Sequence, residues 1–357
     1  MCLYPTLMQN PKYKPNKKNG GKPPPFFDER IKQVPVPCGR CKQCRKQTAN
    51  SWRIRLAEEV KADNKGQFVT LTFSDESILQ LTTELPQFTG YALDNQIATL
   101  AVRRFLERIR KQTKKSIKHW LITELGHKGT ENIHLHGILW TELNKKELQD
   151  LWKYGYIWAG YENQKPYISE QTTNYITKYI TKTDLKHSLY KPKILTSKGI
   201  GATYIKHGLN NRNKYREQKT IETYKTQTGH ETALPTYYRN HTYTDDEKEK
   251  LWLQKIESDT RYIGKQKFKM TTQAPQYFAA LKREQELNTK LGYGTDEIQW
   301  NEKQYQEALR EQKKELRLQR AQQKAMQNTK TTKKPKKHYL RASGGGFKQK
   351  EDRKSVV

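Results

Sequence analysis

The stretch that decides the fold is NIHLHGILW, from Asn132 to Trp140, an apolar run that carries two histidines two positions apart. HWLITELG precedes it, from His119 to Gly126, and Lys128-Gly129 lies between the two runs. Short apolar runs bounded by turn residues are typical of strands, and consecutive strands joined by a turn commonly pair antiparallel. The two runs therefore predict an antiparallel strand pair.

Elements predicted on either side of this pair complete the fold class. FVTLTF, from Phe68 to Phe73, is β-branched, aromatic and short, as strands are. Apolar side chains at helical spacing predict helices at about 49–60, 96–111 and 169–182, and a further one that carries Leu143, Leu148 and Leu151. This order indicates an α+β fold, in which a central antiparallel sheet has helices packed on one face.

The charge of the chain points to a polyanionic partner. It has 68 Lys and Arg against 37 Asp and Glu, a formal net charge of +31. Nucleic acid fits this excess best, and an anionic membrane is the competing partner. No apolar stretch is long enough to span a bilayer, and the N-terminal MCLYPTLMQNPKYKPNKKNG has no apolar secretion core. We therefore expect the protein to stay in the cytosol in which it is made.

The two histidines of the decisive stretch predict a metal site. Side chains two positions apart on a strand point to the same face, so His134 and His136 should lie side by side. Glu124 on the neighbouring predicted strand is the natural third ligand. Two imidazoles and a carboxylate suit Mg²⁺, Mn²⁺ or Zn²⁺ and leave coordination positions for a phosphate oxygen. The simpler interpretation is that both histidines are half-buried strand residues bonded to their neighbours.

A tyrosine–lysine stripe follows in NYITKYITK, from Asn174 to Lys182. Tyr175, Lys178, Tyr179 and Lys182 recur at intervals of three and four, so they share one face of a helix. A tyrosine hydroxyl, with a reference pKa near 10, is a poor nucleophile in neutral water. Lysine ammonium groups and a metal would stabilise its phenolate and the charge on an attacked phosphate. Alternatively, the tyrosines pack and the lysines are solvated or bind the DNA backbone.

Together these motifs resemble the HUH endonucleases, a superfamily named for its His-hydrophobic-His motif, in the variant that has two tyrosines. More closely, the chain resembles the replication initiators of gokushovirus-like microviruses, which are single-stranded DNA bacteriophages. The stretches that carry this resemblance span roughly the first 205 residues and are MCLYP, VPCGRCKQCRKQ, FVTLTF, the HLH strand, YITKYITK and SKGIGATY. A weaker similarity continues through LPTYYRNHTYTDDEKEKLW. The resemblance implies a split β-α-β sheet, a 5′-phosphotyrosine intermediate and rolling-circle replication.

Four cysteines form a second candidate metal site. Cys38, Cys41 and Cys44 are spaced as metal ligands are, and Cys2 would complete a set of four. Four-thiolate zinc would attach the polar N-terminal arm to the domain, whereas disulfides are not expected in a reducing cytosol. Cys2 as a free thiol and an iron–sulfur cluster are the alternatives.

Composition divides the chain into four parts. Residues 1–48 form an extended arm with the cysteines, 49–205 the endonuclease domain, and 206–300 a basic extension rich in tyrosine. Residues 301–357 comprise a predicted charged helix over Asn301 to Met326 and a basic tail expected to be disordered alone.

The combined expectation is a metal-dependent DNA endonuclease and strand transferase with a tyrosine nucleophile. It would nick single-stranded origin DNA in the cytoplasm of a host bacterium, where the 3′-hydroxyl primes rolling-circle synthesis by the host helicase and polymerase. The chain has no GxxxxGK[ST] loop, which agrees with a reaction that keeps the phosphodiester energy in a covalent bond. A plasmid relaxase or transposase with the same chemistry is one alternative, and a non-catalytic, zinc-stapled DNA-binding protein is the other.

Overall fold

The computed structural model describes residues 2–25, 28–126, 131–160, 168–187, 189–294, 314, 317, 318 and 320–328. Its strands are, in chain order, β1 (Thr6–Gln9), β2 (Gln33–Val36), β3 (Gln67–Leu71), β4 (Lys118–Leu125), β5 (Ile133–Trp140), β6 (Ile157–Trp158), β7 (Ile194–Thr196), β8 (Thr223–Lys225), β9 (Glu231–Ala233), β10 (Thr260–Ile263) and β11 (Gln266–Lys269). Its helices are α1 (Lys42–Ala62), α2 (Asp75–Thr83), α3 (Gly90–Thr113), α4 (Lys145–Trp152), α5 (Glu170–Thr181), α6 (Thr203–Lys206), α7 (Thr236–Thr242), α8 (Asp245–Glu257) and α9 (Met270–Lys290).

The central sheet has five strands in the order β6–β3–β5–β4–β7, and each neighbouring pair is antiparallel. The predicted pair corresponds to β4 and β5, and FVTLTF supplies β3. The α+β class and the central antiparallel sheet are therefore confirmed. The turn predicted at Lys128-Gly129 lies outside the described residues.

Helices cover both faces of this sheet, although the sequence led us to expect them on one. Helices α2, α3 and α4 pack on the face that carries Leu121 and Leu135. Helices α1 and α5 pack on the opposite face, which carries Trp120, Ile122 and Ile138. The reason is visible in β4 and β5, whose consecutive side chains are apolar, so both faces of these strands must be buried.

Gly137 lets the two inner strands approach closely. It pairs with Leu121 of β4 and with Val69 of β3. A Cβ atom at this position would lie 2.0 Å from the carbonyl oxygen of Trp120 and 2.7 Å from Cα of Leu121. Only glycine fits here without a shift of the backbone, and the histidine strand keeps its register against β4 as a result.

The region after the sheet builds a further core on the other side of α1. Its buried side chains are mostly tyrosines and are Ile54, Tyr204, Tyr224, Leu234, Tyr238, Tyr243 and Leu251. Burial of Tyr224 and Tyr238 agrees with the interpretation of tyrosine as an amphipathic core residue. Short strands pair locally as β8–β9 and β10–β11, which explains the weak strand signals after residue 191.

The two ends of the described chain also pack. In the N-terminal arm β1 pairs with β2. Of the predicted charged helix, residues 314, 317, 318 and 320–328 are helical, while 301–313 and 329–357 lie outside the described residues. Lys314 forms an ion pair of 2.7 Å with Asp94 of α3. Within the described ranges, no helix combines the length and the apolar character needed to cross a membrane.

Candidate active site

Three potential metal ligands converge on the sheet face that α1 and α5 cover. Glu124 of β4 stands directly opposite His134 of β5, and His136 lies on the same face two residues further on. The Nε2 atoms of His134 and His136 lie 3.2 Å and 3.0 Å from Oε2 of Glu124. All three side chains are half-buried. The structure therefore brings together the three side chains that the sequence predicted as ligands.

Thr70 orients the imidazole of His136. It is the residue of β3 that pairs with His136, and its Oγ1 lies 3.0 Å from Nδ1 of that ring. An Nδ1–H group that donates to Thr70 leaves the Nε2 lone pair facing Glu124. The strand register thus presents the ring nitrogen that a metal would need.

Glu124 is ionised because three donors surround it. Lys182 donates to its Oε1 at 2.5 Å, while the imidazoles approach its Oε2. Burial alone would raise the pKa of the Glu124 carboxyl, but the hydrogen bonds from His134, His136 and Lys182 bring that pKa well below its usual range. Burial also lowers the pKa of His136, against the opposing effect of Glu124. A carboxylate and a neutral imidazole are the protonation states that bind a metal ion.

Helix α5 carries the two tyrosines to this cluster. Ser169 caps its N-terminus through a capping box, and Ile176 and Ile180 pack toward the sheet. The ring of Tyr179 consequently stacks on His136, with centroids 4.3 Å apart and planes inclined by 10°. Its hydroxyl donates to the hydroxyl of Tyr175 at 3.0 Å.

The two tyrosines differ in their surroundings. Tyr175 is 49% exposed, whereas Tyr179 is half-buried. Burial raises the pKa of Tyr179, and the hydrogen bond with Tyr175 and the charge of Glu124 raise it further. The protein groups alone therefore keep Tyr179 as a neutral phenol, and a cation beside Glu124 would act against this effect.

The two lysines of the predicted stripe have separate positions. Lys182 follows the last residue of α5 and forms the ion pair with Glu124. Lys178 is exposed, and its ammonium group lies 5.7 Å from the ring centre of Tyr175. Only Lys182 contacts the carboxylate–imidazole cluster, so the stripe does not act as one unit.

The cluster fits a divalent cation. One carboxylate oxygen and two imidazole nitrogens all lie within 4.8 Å of one another, and the donor set suits Mg²⁺, Mn²⁺ or Zn²⁺. Three protein ligands leave positions open for other oxygen atoms, as in catalytic rather than structural sites.

The cysteines form a second group that fits a metal. Cys2, Cys38, Cys41 and Cys44 have sulfur atoms within 4.8 Å of one another, and all four are free. The Cys2–Cys41 and Cys38–Cys44 sulfur distances are 4.0 Å and 3.9 Å. Tetrahedral zinc with bonds of about 2.3 Å holds its sulfur ligands about 3.8 Å apart. The backbone N–H groups of Tyr4 and Cys38 donate to the sulfur of Cys2, so this residue is held in place.

Sequence reasoning missed several residues that surround the cluster. Thr70 is one of them, because its role depends on the pairing of β3 with β5. Asn132 is another: its carbonyl oxygen lies 3.4 Å from Nδ1 of His134, and its amide donates to Asp75. Alternation along FVTLTF would have placed Thr70 on a defined face, but neither the face nor the partner strand could be inferred from the residues themselves.

A cleft continues from Glu124 past Tyr179 and Lys182. Its other lining residues are Arg45, Leu125, Asp184, His187, Tyr190 and Pro192. His187 is buried there between two carboxylates, with Nδ1 2.6 Å from Asp184 and Nε2 3.2 Å from Glu131. The tyrosines and the metal-ligand cluster therefore face a groove with room for more than a single phosphate.

Comparison with known proteins locates this site within a matched segment. A family model for replication-associated proteins of the ORF2 group matches residues 66–184. That segment runs from β3 to just past α5, so it includes the carboxylate, both histidines and both tyrosines. The similarity is to replication-associated proteins.

One curated protein extends the similarity beyond this segment. "Replication-associated protein ORF2" of Spiroplasma virus 4 is 26% identical over 244 residues, which cover 60% of this chain and 72% of that protein. No solved structure matches the chain.

Proposed function

We propose that this chain is a replication-initiation endonuclease of a small phage, which nicks single-stranded origin DNA through a 5′-phosphotyrosine. The observation that carries the proposal is the stacking of Tyr179 on His136, which puts a tyrosine pair against a carboxylate–imidazole cluster. The similarity to replication-associated proteins supports the biological role. The resemblance of the motifs to HUH initiators of gokushovirus-like microviruses supports the chemistry.

The reaction exchanges one phosphodiester for another. A tyrosine hydroxyl oxygen attacks a phosphorus of the bound strand, a P–O(tyrosine) bond forms, and the bond to the 3′-oxygen breaks. The phenolic proton leaves the nucleophile and a proton is gained by the 3′-oxygen, so the products are a 5′-phosphotyrosine and a free 3′-hydroxyl. No other substrate is consumed, and the 3′-hydroxyl can prime rolling-circle synthesis.

The residues of the cluster divide this work. Glu124, His134 and His136 would hold Mg²⁺ or Mn²⁺, which when bound polarises phosphate oxygens and offsets negative charge. Lys182 stabilises the Glu124 carboxylate and places a second positive charge beside Tyr179. Thr70 keeps the tautomer of His136 in which Nε2 is free of hydrogen. Lys178, beside the exposed Tyr175, is placed to contact DNA phosphate.

The proposed setting follows from charge and similarity. With a net charge of +31 the chain should bind single-stranded DNA strongly. A phage replication protein would act in the cytoplasm of the host bacterium, with the host replication helicase and polymerase extending the 3′-end. A structural zinc held by the four cysteines would join the N-terminal arm to α1.

A nicking assay tests the proposal. The purified protein is incubated with the single-stranded circular genome that encodes it, with added Mn²⁺ or Mg²⁺, and with EDTA in a parallel reaction. We expect linear DNA attached to protein with the cations and none with EDTA. DNA that is bound but stays circular under all conditions would reject the endonuclease and favour the zinc-stapled DNA-binding protein.

A further inference from the structure

Arg45 lies beside the candidate active site, far from its ligands in sequence. It belongs to the first turn of α1, and its side chain lines the cleft together with Glu124, Tyr179 and Lys182. The residue is half-buried, so it is not a freely moving surface cation. Its position places a guanidinium group next to the atoms that would react.

Two other segments hold this guanidinium. Its Nη1 donates to the carbonyl oxygen of Lys182 at 3.3 Å, just past the end of α5. It also lies 5.6 Å from the ring centre of Tyr293, whose hydroxyl donates to the carbonyl oxygen of Thr181 at 2.9 Å. The side chain is thus oriented before any ligand arrives, which reduces the entropy lost on binding.

The positive charge of Arg45 is not matched by a carboxylate in the described part of the chain. The acidic groups of the cleft are engaged elsewhere, since Glu124 pairs with Lys182 and Asp184 with His187. Burial lowers the pKa of Arg45, and the charge of Tyr293 is what opposes this effect. A half-buried cation without a counter-charge favours an anion that enters the cleft.

We propose that Arg45 binds a phosphate of the DNA strand next to the one that the tyrosine attacks. This inference rests on the proposed function, because it assumes that the cleft holds single-stranded DNA. The planar guanidinium has N–H groups left after its bond to Lys182, and these suit two oxygens of one phosphodiester. The contact would fix the register of the strand over Tyr175 and Tyr179.

The cysteine cluster positions this residue. Arg45 directly follows Cys44, and its backbone N–H donates to the carbonyl oxygen of Cys41 at 3.0 Å. Cys41 precedes the first residue of α1. A metal that joins the four thiols would therefore hold the turn from which Arg45 reaches the cleft, and the cysteine cluster would contribute to the alignment of DNA.

Methylphosphonate scanning tests the phosphate contact. The probe is the tightest-binding single-stranded oligonucleotide selected from the encoding genome, with one uncharged methylphosphonate placed at each linkage in turn. Binding is measured with the Tyr175→Phe/Tyr179→Phe protein, so the DNA stays intact and the result does not depend on cleavage. In this background one linkage should weaken binding about tenfold, the scale of a hydrogen bond to a charged group.

Arg45→Met added to that background should remove the penalty at this one linkage while keeping the others. Arg45→Lys should restore part of it, and Lys46→Met, an exposed change on the same helix, should leave the pattern unchanged. A merely structural role for Arg45 would weaken all oligonucleotides alike and keep the pattern, which would overturn the proposal. Because the pattern is read from binding, a protein that fails to nick can still pass or fail this test.

Discussion

The ring of Tyr179 stacks on the imidazole of His136, with centroids 4.3 Å apart and planes inclined by 10°. A candidate nucleophile and a candidate metal ligand therefore share one contact, although they lie on different elements, α5 and β5. Loss of the imidazole should disturb both the metal and the tyrosine.

His136→Ala should abolish nicking, by at least about 100-fold, because it removes a ligand and the surface on which Tyr179 rests. Single-stranded DNA binding should fall much less, since phosphate contacts from Lys and Arg supply most of that affinity. His230→Ala, an exposed histidine between β8 and β9, is the control. A folded His136→Ala protein that nicks normally would remove the metal assignment.

Thr70→Val should weaken metal binding about 10-fold to 100-fold, the usual cost of losing a partner that orients a ligand. Valine has nearly the shape of threonine but lacks the oxygen that faces Nδ1 of His136. Thr70→Ser keeps that oxygen and should bind the metal almost as the parent does. Mn²⁺ titration followed by calorimetry provides the measurement, and equal affinities for Val and Ser would contradict this role.

About one zinc per chain should remain bound in a His134→Ala/His136→Ala protein, because the four cysteines are a separate site. Metal analysis of the purified protein measures it directly. Cys44→Ser should release that zinc and lower the thermal stability, since Cys44 and Cys38 belong to the cluster that joins α1 to the arm. Absence of zinc in the histidine variant would rule out the cysteine site.

The sequence was most informative where an apolar run is long. β4 and β5 have eight residues each and were predicted within one residue of their ends, whereas β6 has two residues and β7 has three. Such short edge strands exist because a neighbour supplies the hydrogen bonds, and their own residues carry little signal. The coverage of both faces by helices was missed although Trp120, Leu121 and Ile122 are consecutive and all buried.

The candidate site follows the same division. Glu124, His134 and His136 could be predicted because strand alternation and one neighbouring strand suffice to bring them together. Thr70 and Arg45 could not, because their positions depend on the pairing of β3 and on the approach of α1 to the end of α5. Local pattern reveals ligands on adjacent strands, but it does not reveal side chains brought in by tertiary packing.

Binding to single-stranded DNA should fall steeply as salt rises, because a chain with a net charge of +31 releases many counterions from phosphates. Deletion of residues 327–357 should reduce the slope of log affinity against log salt and leave the cleavage position unchanged. Filter binding at several salt concentrations measures the slope. An unchanged slope would mean that the tail does not touch DNA.

The covalent adduct with an origin oligonucleotide tests the central claim most directly. Tyr175 and Tyr179 have hydroxyl oxygens 3.0 Å apart, so the second can cut a regenerated origin while the first still holds the 5′-end. Phenylalanine removes only the hydroxyl. Tyr175→Phe and Tyr179→Phe should each still form some adduct but fail to release closed circles, and the exposed Tyr262→Phe control should behave as the parent. The account predicts no adduct from the double variant, and an adduct formed by that protein would place the nucleophile elsewhere.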